Sequence, residues 1–174
     1  MCGRVIQSSS PLRLAIVEGL DVSDSRVKNI RPRYNGAPSQ ELLVIRENLK
    51  TGKRSLDLIK WGLIPHWCAD PRGGRRPINA KAESISKLLT FREAYARRRC
   101  ILPVDGFFEW RAIKGARAKQ PYAIAMKDGS PFGLAGLWET GAIRTLENGS
   151  ERLQSSRYPP THRSNRSMIE CRPS

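Results

Sequence analysis

Short extended runs separated by turns dominate the chain. Leu42–Arg46 and Leu56–Trp61 read as alternating apolar and polar residues, the period-2 pattern of a strand with one buried face. Tyr122–Met126 and Phe132–Leu137 flank Lys127-Asp128-Gly129-Ser130, which predicts a hairpin about that turn. Cys100 begins the apolar run Cys100-Ile-Leu-Pro-Val and is expected on a buried strand. Helical signals are fewer. Ser10-Pro11 followed by Leu12, Ile16 and Leu20 reads as a capped helix with Pro in its first turn, ending near Gly19. Further short helices are expected from Ser84 to Leu89 and from Phe91 to Arg99. Strands interrupted by a few short helices predict one α+β domain with a curved, mostly antiparallel sheet, and 174 residues suffice to bury a core for it.

Charge narrows the partners. The chain carries 31 Lys and Arg against 16 Asp and Glu, a net +15, which favours a polyanion. A membrane surface would also need an amphipathic basic helix or a lipid anchor, and neither is visible. No apolar run is long enough to span a bilayer, and no signal peptide is evident at the N-terminus, so a cytoplasmic protein is expected. Basic clusters at Lys50–Arg54, Arg72–Arg76 and Arg97–Arg99 neighbour Trp61, Trp67, Phe91 and Tyr95 in the sequence. That is the composition of a surface that tracks phosphates and stacks bases, and equally of the solvated faces of a basic protein. Cys2, Cys68, Cys100 and Cys171 form no C-x-x-C pair, and only His66 and His162 could complete a ligand set, so no metal site and no cofactor are expected. Cys68 is read as structural.

Position 2 carries the reactive chemistry. Cys2 is small enough for Met1 to be removed, and the exposed residue would hold an α-amine and a thiol on adjacent carbons. Both groups titrate near neutrality, so both nucleophiles are available. An aldehyde would condense with the amine and then close onto sulfur as a thiazolidine.

Six ordered blocks give this cysteine a context. They are Cys2-Gly3-Arg4; Arg33-Tyr34-Asn35 with Ala37-Pro38; Trp61-Gly-Leu-Ile-Pro65 with Trp67; Ile78-Asn79-Ala-Lys81-Ala-Glu83; Phe91-Arg92; and Arg99 through Trp110, which includes Asp105-Gly-Phe-Phe-Glu109-Trp110. Together they resemble the SRAP family, the SOS response-associated peptidases, which shield abasic sites in single-stranded DNA by covalent crosslinking. The resemblance implies an α+β fold built on a mostly antiparallel, open β-barrel-like sheet. It implies that Cys2 attacks the ring-opened abasic sugar, that Asn79 holds Cys2 and the sugar in register, and that Glu109 shuttles protons and assists release of Met1. Arg4, Trp67 and Lys81 match DNA-contacting positions, with Lys81 standing where the family usually has Arg. Peptidase activity would be confined to exposing Cys2, with a lyase activity possible. The partner would be single-stranded DNA containing abasic sites, met by a monomer associated with the nucleoid. The alternative is a noncovalent single-stranded-DNA binder or a degenerate, inactive copy.

One family element is missing. The family's C-terminal Ile-His-Asp-Arg-Met-Pro motif is absent; His162 lies in Pro-Thr-His-Arg, and His66 belongs to the Trp61 block, where proximity to DNA is expected. A permitted back-translation of the last residues, read one base earlier, encodes IHDRMPAI. Residues 1–147 are therefore read as the family-like portion of a single domain, and 148–174 as an atypical, frameshifted and poorly ordered tail.

Overall fold

The computed structural model describes residues 3–20, 27, 29–68 and 76–140, together with the backbone of 165–169. Among the described residues, nine strands form two sheets, accompanied by three short α-helices. Strands β1 (Arg4–Gln7), β2 (Arg33–Gly36), β6 (Gly106–Ala112) and β7 (Lys119–Ala125) make a four-stranded sheet in the order β2-β1-β6-β7. Strands β3 (Glu41–Glu47), β4 (Arg54–Trp61), β5 (Arg99–Val104), β8 (Phe132–Thr140) and β9 (Asn165–Ile169) close a barrel in the order β3-β4-β9-β8-β5. The mostly antiparallel α+β architecture is as expected, but the barrel is closed rather than open. Closure depends on β9, which runs parallel to β4 (Lys60 beside Arg166) and antiparallel to β8 (Gly136 beside Ile169). The tail thus supplies a barrel strand that its composition did not announce, while 141–164 and 170–174 lie outside the described residues.

Two further expectations change. Leu42–Ile45 is buried at every position. Leu42 and Val44 enter a core with Val5, Ile59, Trp61, Leu102 and Trp138, while Leu43 and Ile45 pack with Leu14, Ala15 and Leu56. A strand covered on both faces needs a continuous apolar run, not an alternating one. The predicted β7–β8 hairpin also does not form. The turn is present, with Gly129 left-handed at φ 70° and Asp128 Oδ1 accepting from Ser130 N at 3.0 Å, yet it hands the chain from one sheet to the other. β7 pairs with β6, and β8 pairs with β5 and β9.

The helices are shorter than the sequence implies. Helix α1 (Pro11–Ala15) is capped by Ser10 Oγ and continues as a 3-10 turn to Glu18, where Gly19 at φ 62° ends it as predicted. α2 (Ala82–Ile85) starts before Ser84, and α3 (Arg92–Arg97) stops before Arg99 because that residue already belongs to β5. Ile85, Phe91 and Ala94 seat these helices on Leu63, just past β4, and on Leu137 of β8.

Two polar anchors fasten the four-stranded sheet to the barrel. Buried Gln7 on β1 donates from Nε2 to the carbonyls of Leu43 (2.8 Å) and Pro103 (2.7 Å), and its Oε1 accepts from Leu43 N (3.0 Å). Asp105, between β5 and β6, accepts from the backbone N–H of Ser8 and Ser9 at 2.6 and 2.8 Å and from both hydroxyls. Burial works to raise the Asp105 carboxyl, but the donors of Ser9 and Ser8 outweigh it and hold it below its ordinary value.

Candidate active site

The β1–β6 pair brings two sequence-predicted elements together. Arg4 is level with Phe108, Val5 with Phe107 and Ile6 with Gly106, so one further step along this register sets Gly3 level with Glu109. Gly3 lies under the Trp110 ring, since a Cβ built on it would stand 3.7 Å from that ring. Cys2 itself is outside the described residues, but the residue following it ends at the strand that carries Glu109. Phe107 packs on the barrel core and edge-to-face against Phe132, with ring centroids 6.2 Å apart, which fixes β6 and leaves Glu109 half-buried two residues on.

Asn79 reaches the same neighbourhood by a different route. Leu63 N donates to the Pro77 carbonyl (3.0 Å) and Trp61 Nε1 to the Ile78 carbonyl (2.9 Å), pinning the segment before α2 to the end of β4. Ile78 packs on the core cluster that contains Val5 and is joined by Phe107. Asn79 follows directly and is half-buried, its amide oxygen screened from solvent. The neighbours of Gly3, Asn79 and Glu109 therefore share one apolar cluster. The shared cluster fixes the segment carrying Asn79 and the strand carrying Glu109 to the same core as β1.

The predicted DNA contacts are distributed around this centre. Arg4 is half-buried and donates from Nη1 to Asn35 Oδ1 of β2 at 2.8 Å, which orients its guanidinium on the sheet. Lys81 is exposed at the start of α2, two residues beyond Asn79. Trp67 is 53% exposed, on a turn closed by Cys68 N donating to the Pro65 carbonyl at 3.0 Å. A separate set of contacts holds that turn. His66 Nε2 is 3.2 Å from Glu93 of α3, its Nδ1 is 3.8 Å from Glu139 of β8, and Arg98 bridges Glu93 and Glu139. Burial pushes the Glu139 carboxyl up against the opposing pull of Arg98, while hydrogen bonding to Arg98 holds Glu93 down.

Several aromatic and cysteine assignments resolve differently from one another. Trp61 and Phe91 are core residues at 1% and 7% exposure and cannot stack on bases. Tyr95 is exposed and carries the Arg99 guanidinium 5.7 Å from its ring centre. Cys100 is buried, as expected for a strand residue, and burial pushes its thiol up to about 12, which leaves it unreactive. Sequence reasoning missed Asn35 as the residue that orients Arg4, although it belongs to a block already singled out. It also missed the exposure of Trp110, which the alternation along β6 could have separated from half-buried Phe107. Among the described residues, no cluster of His, Cys, Asp and Glu has the arrangement of a metal site, and no helix is long and apolar enough to cross a membrane.

Comparison with known proteins places this geometry. The model of the SOS response associated peptidase family matches residues 1–157. The chain is 36% identical over 140 residues to abasic site processing protein YoaM of Bacillus subtilis, covering 80% of this chain and 60% of that protein. It is 31% identical over 153 residues to abasic site processing protein YedK of Escherichia coli, covering 87% and 64%. A solved structure from Bacteroides thetaiotaomicron superposes with a TM-score of 0.73 at 23% identity, over 97% of this chain and 67% of that one. A phage-related protein of Bordetella bronchiseptica superposes with a TM-score of 0.67 at 25% identity, over 97% and 68%. The chain thus spans about 60% of the length of the first of these relatives. With the ordered motifs and the fold in agreement, the chain belongs to the SOS response associated peptidase family.

Proposed function

We propose that this protein processes abasic sites in single-stranded DNA by forming a thiazolidine crosslink through Cys2 after Met1 is removed. The Cys2 amine adds to the C1′ aldehyde of the opened sugar and loss of one water leaves an imine. The thiol then adds to the same carbon while its proton passes to nitrogen, closing the ring. Glu109 moves the protons of these steps and assists release of Met1, and Asn79 holds the sugar and Cys2 in register. Arg4 and Lys81 take phosphates and Trp67 stacks on a base. The observation that carries this reading is the register that sets Gly3 level with Glu109, with Ile78 fixing Asn79 to the core beneath them.

The test is direct. Protein shown by mass to begin at Cys2 is mixed with single-stranded DNA holding one abasic site and then denatured. A surviving adduct is expected, absent in Cys2→Ala while salt-dependent DNA binding persists. The absence of the Ile-His-Asp-Arg-Met-Pro histidine favours a second reading, a noncovalent binder, and a folded wild type that binds DNA without forming an adduct would establish it.

A further inference from the structure

The β6–β7 hairpin carries a surface that the proposed site does not use. Glu109 of β6 is level with Tyr122 of β7, and Phe107 is level with Ile124. Paired residues of an antiparallel ladder project to one face with Cβ atoms about 5 Å apart, so Tyr122 stands beside Glu109 on the same face of the sheet. Tyr122 is 49% and Ile124 43% exposed, and every residue of β7 is solvent-exposed. The Tyr122 hydroxyl has no hydrogen-bond partner among the described residues. Beyond this pair the hairpin runs out to a turn at Gly115, which is left-handed at φ 80°, with Ala116 N donating to the Ile113 carbonyl at 3.1 Å. Residues 111–120 hold Arg111, Lys114, Arg117 and Lys119 and no carboxylate, and all four cations are exposed without an ion pair among the described residues.

An exposed aromatic ring one strand away from the reacting carboxylate, followed by four unpaired cations, has the make-up of a single-strand track: a π-face for a base and charges for the backbone beyond it. We infer that the β6–β7 hairpin holds the DNA flanking the lesion on one side, with the Tyr122 ring stacking on the base next to the abasic sugar and the basic tip taking the phosphates beyond. This rests on the crosslinking reading only for the position of the lesion. The hairpin binds a strand whether or not a bond forms. Tyr122 acts as a substrate-contacting residue that keeps the opened sugar beside Glu109.

The experiment measures equilibrium binding of a single-stranded oligonucleotide carrying a tetrahydrofuran abasic analogue, which has no aldehyde and cannot crosslink. Tyr122→Ala is expected to weaken binding about tenfold, and Tyr122→Phe to stay within about twofold, since stacking needs the ring alone. When the nucleotides flanking the analogue are also made baseless, wild type and Tyr122→Ala should bind alike. The double variant Lys114→Ala/Arg117→Ala should reduce the slope of log K against log salt by about 1.4, roughly 0.7 for each phosphate no longer neutralised, with the slope of Tyr122→Ala unchanged. Wild-type affinity in both the Tyr122→Ala and the double variant overturns the inference. So does a Tyr122→Ala defect that persists on baseless flanks, because that marks damage to the fold. The same proteins on aldehyde-bearing DNA separate the two readings. Tyr122-dependent binding with no wild-type adduct would sink the crosslink and leave the hairpin interface standing, whereas an adduct with wild-type binding by both Tyr122→Ala and the double variant would do the reverse.

Discussion

Asp105 shows how a single side chain holds the site from outside it. Its carboxylate gathers four donors from Ser8 and Ser9, and its own N–H donates to the Ile6 carbonyl at 2.9 Å, so it fixes the far end of β1 beside the Ile6–Gly106 pair and with it the register that continues to Gly3 and Glu109. Because the folded carboxyl sits below its ordinary value of 3.8, its stabilisation is complete above that pH and is lost as pH falls through the folded value. Asp105→Asn is expected to lower stability by about 1–3 kcal/mol at pH 7 and to flatten the fall in Tm below about pH 4. Thermal melts of both proteins across that range, with denaturant melts at pH 7, check it, and parallel curves would contradict it. Gln7 makes a second case. Gln7→Leu fills the space yet strands Leu43 N and two carbonyls in the core, so a loss of about 2–4 kcal/mol, read from the urea midpoint, is expected. A loss under about 1 kcal/mol would mean that water replaces the amide.

At the scale of elements, the sequence was most legible where a strand or a cap obeys a local rule. Ser10, Pro11 and Gly19 define α1 and its end because capping and left-handed backbone are decided by neighbours a few residues away. β4 was readable for the same reason. β1 and β2 were not drawn as strands, since four residues with Arg, Gly, Asn and Gln among them give no period until their pairing partners are known, and β6 was passed over although its aromatics favour a strand. The β7–β8 turn misled because its chemistry fixes a reversal of the chain but not which sheet receives it. Of the candidate site, the blocks named Ile78, Asn79 and Glu109 but not that Ile78 packs on the core and holds the segment carrying Asn79, and Tyr122 became visible only through the register of β7. The frame assigned to the tail is likewise a proposal at this scale. Genomic DNA from about codon 148 is expected to encode Ile-His-Asp-Arg-Met-Pro in the neighbouring frame, and codons that cannot do so would end that proposal.

For the molecule as a whole, a net +15 is spread over a small surface, with paired cations such as Arg46 with Asp57 and Arg54 with Glu18 set apart from the unpaired hairpin tip. If about five phosphates are contacted, raising salt from about 50 to 200 mM should weaken single-stranded DNA binding roughly a hundredfold. A titration showing less than about threefold would mean that the charge faces solvent and not the strand. Barrel closure has its own consequence for how the protein is made. Lys60 finds its parallel neighbour only at Arg166, more than a hundred residues later, and β8 takes its second partner from the same late segment. Until that stretch leaves the ribosome, β4 and β8 each present a bare row of amides and carbonyls, the template for pairing with another chain. Translation speed and chaperone supply, more than the equilibrium stability of the finished barrel, would then govern how much of this protein reaches its folded form.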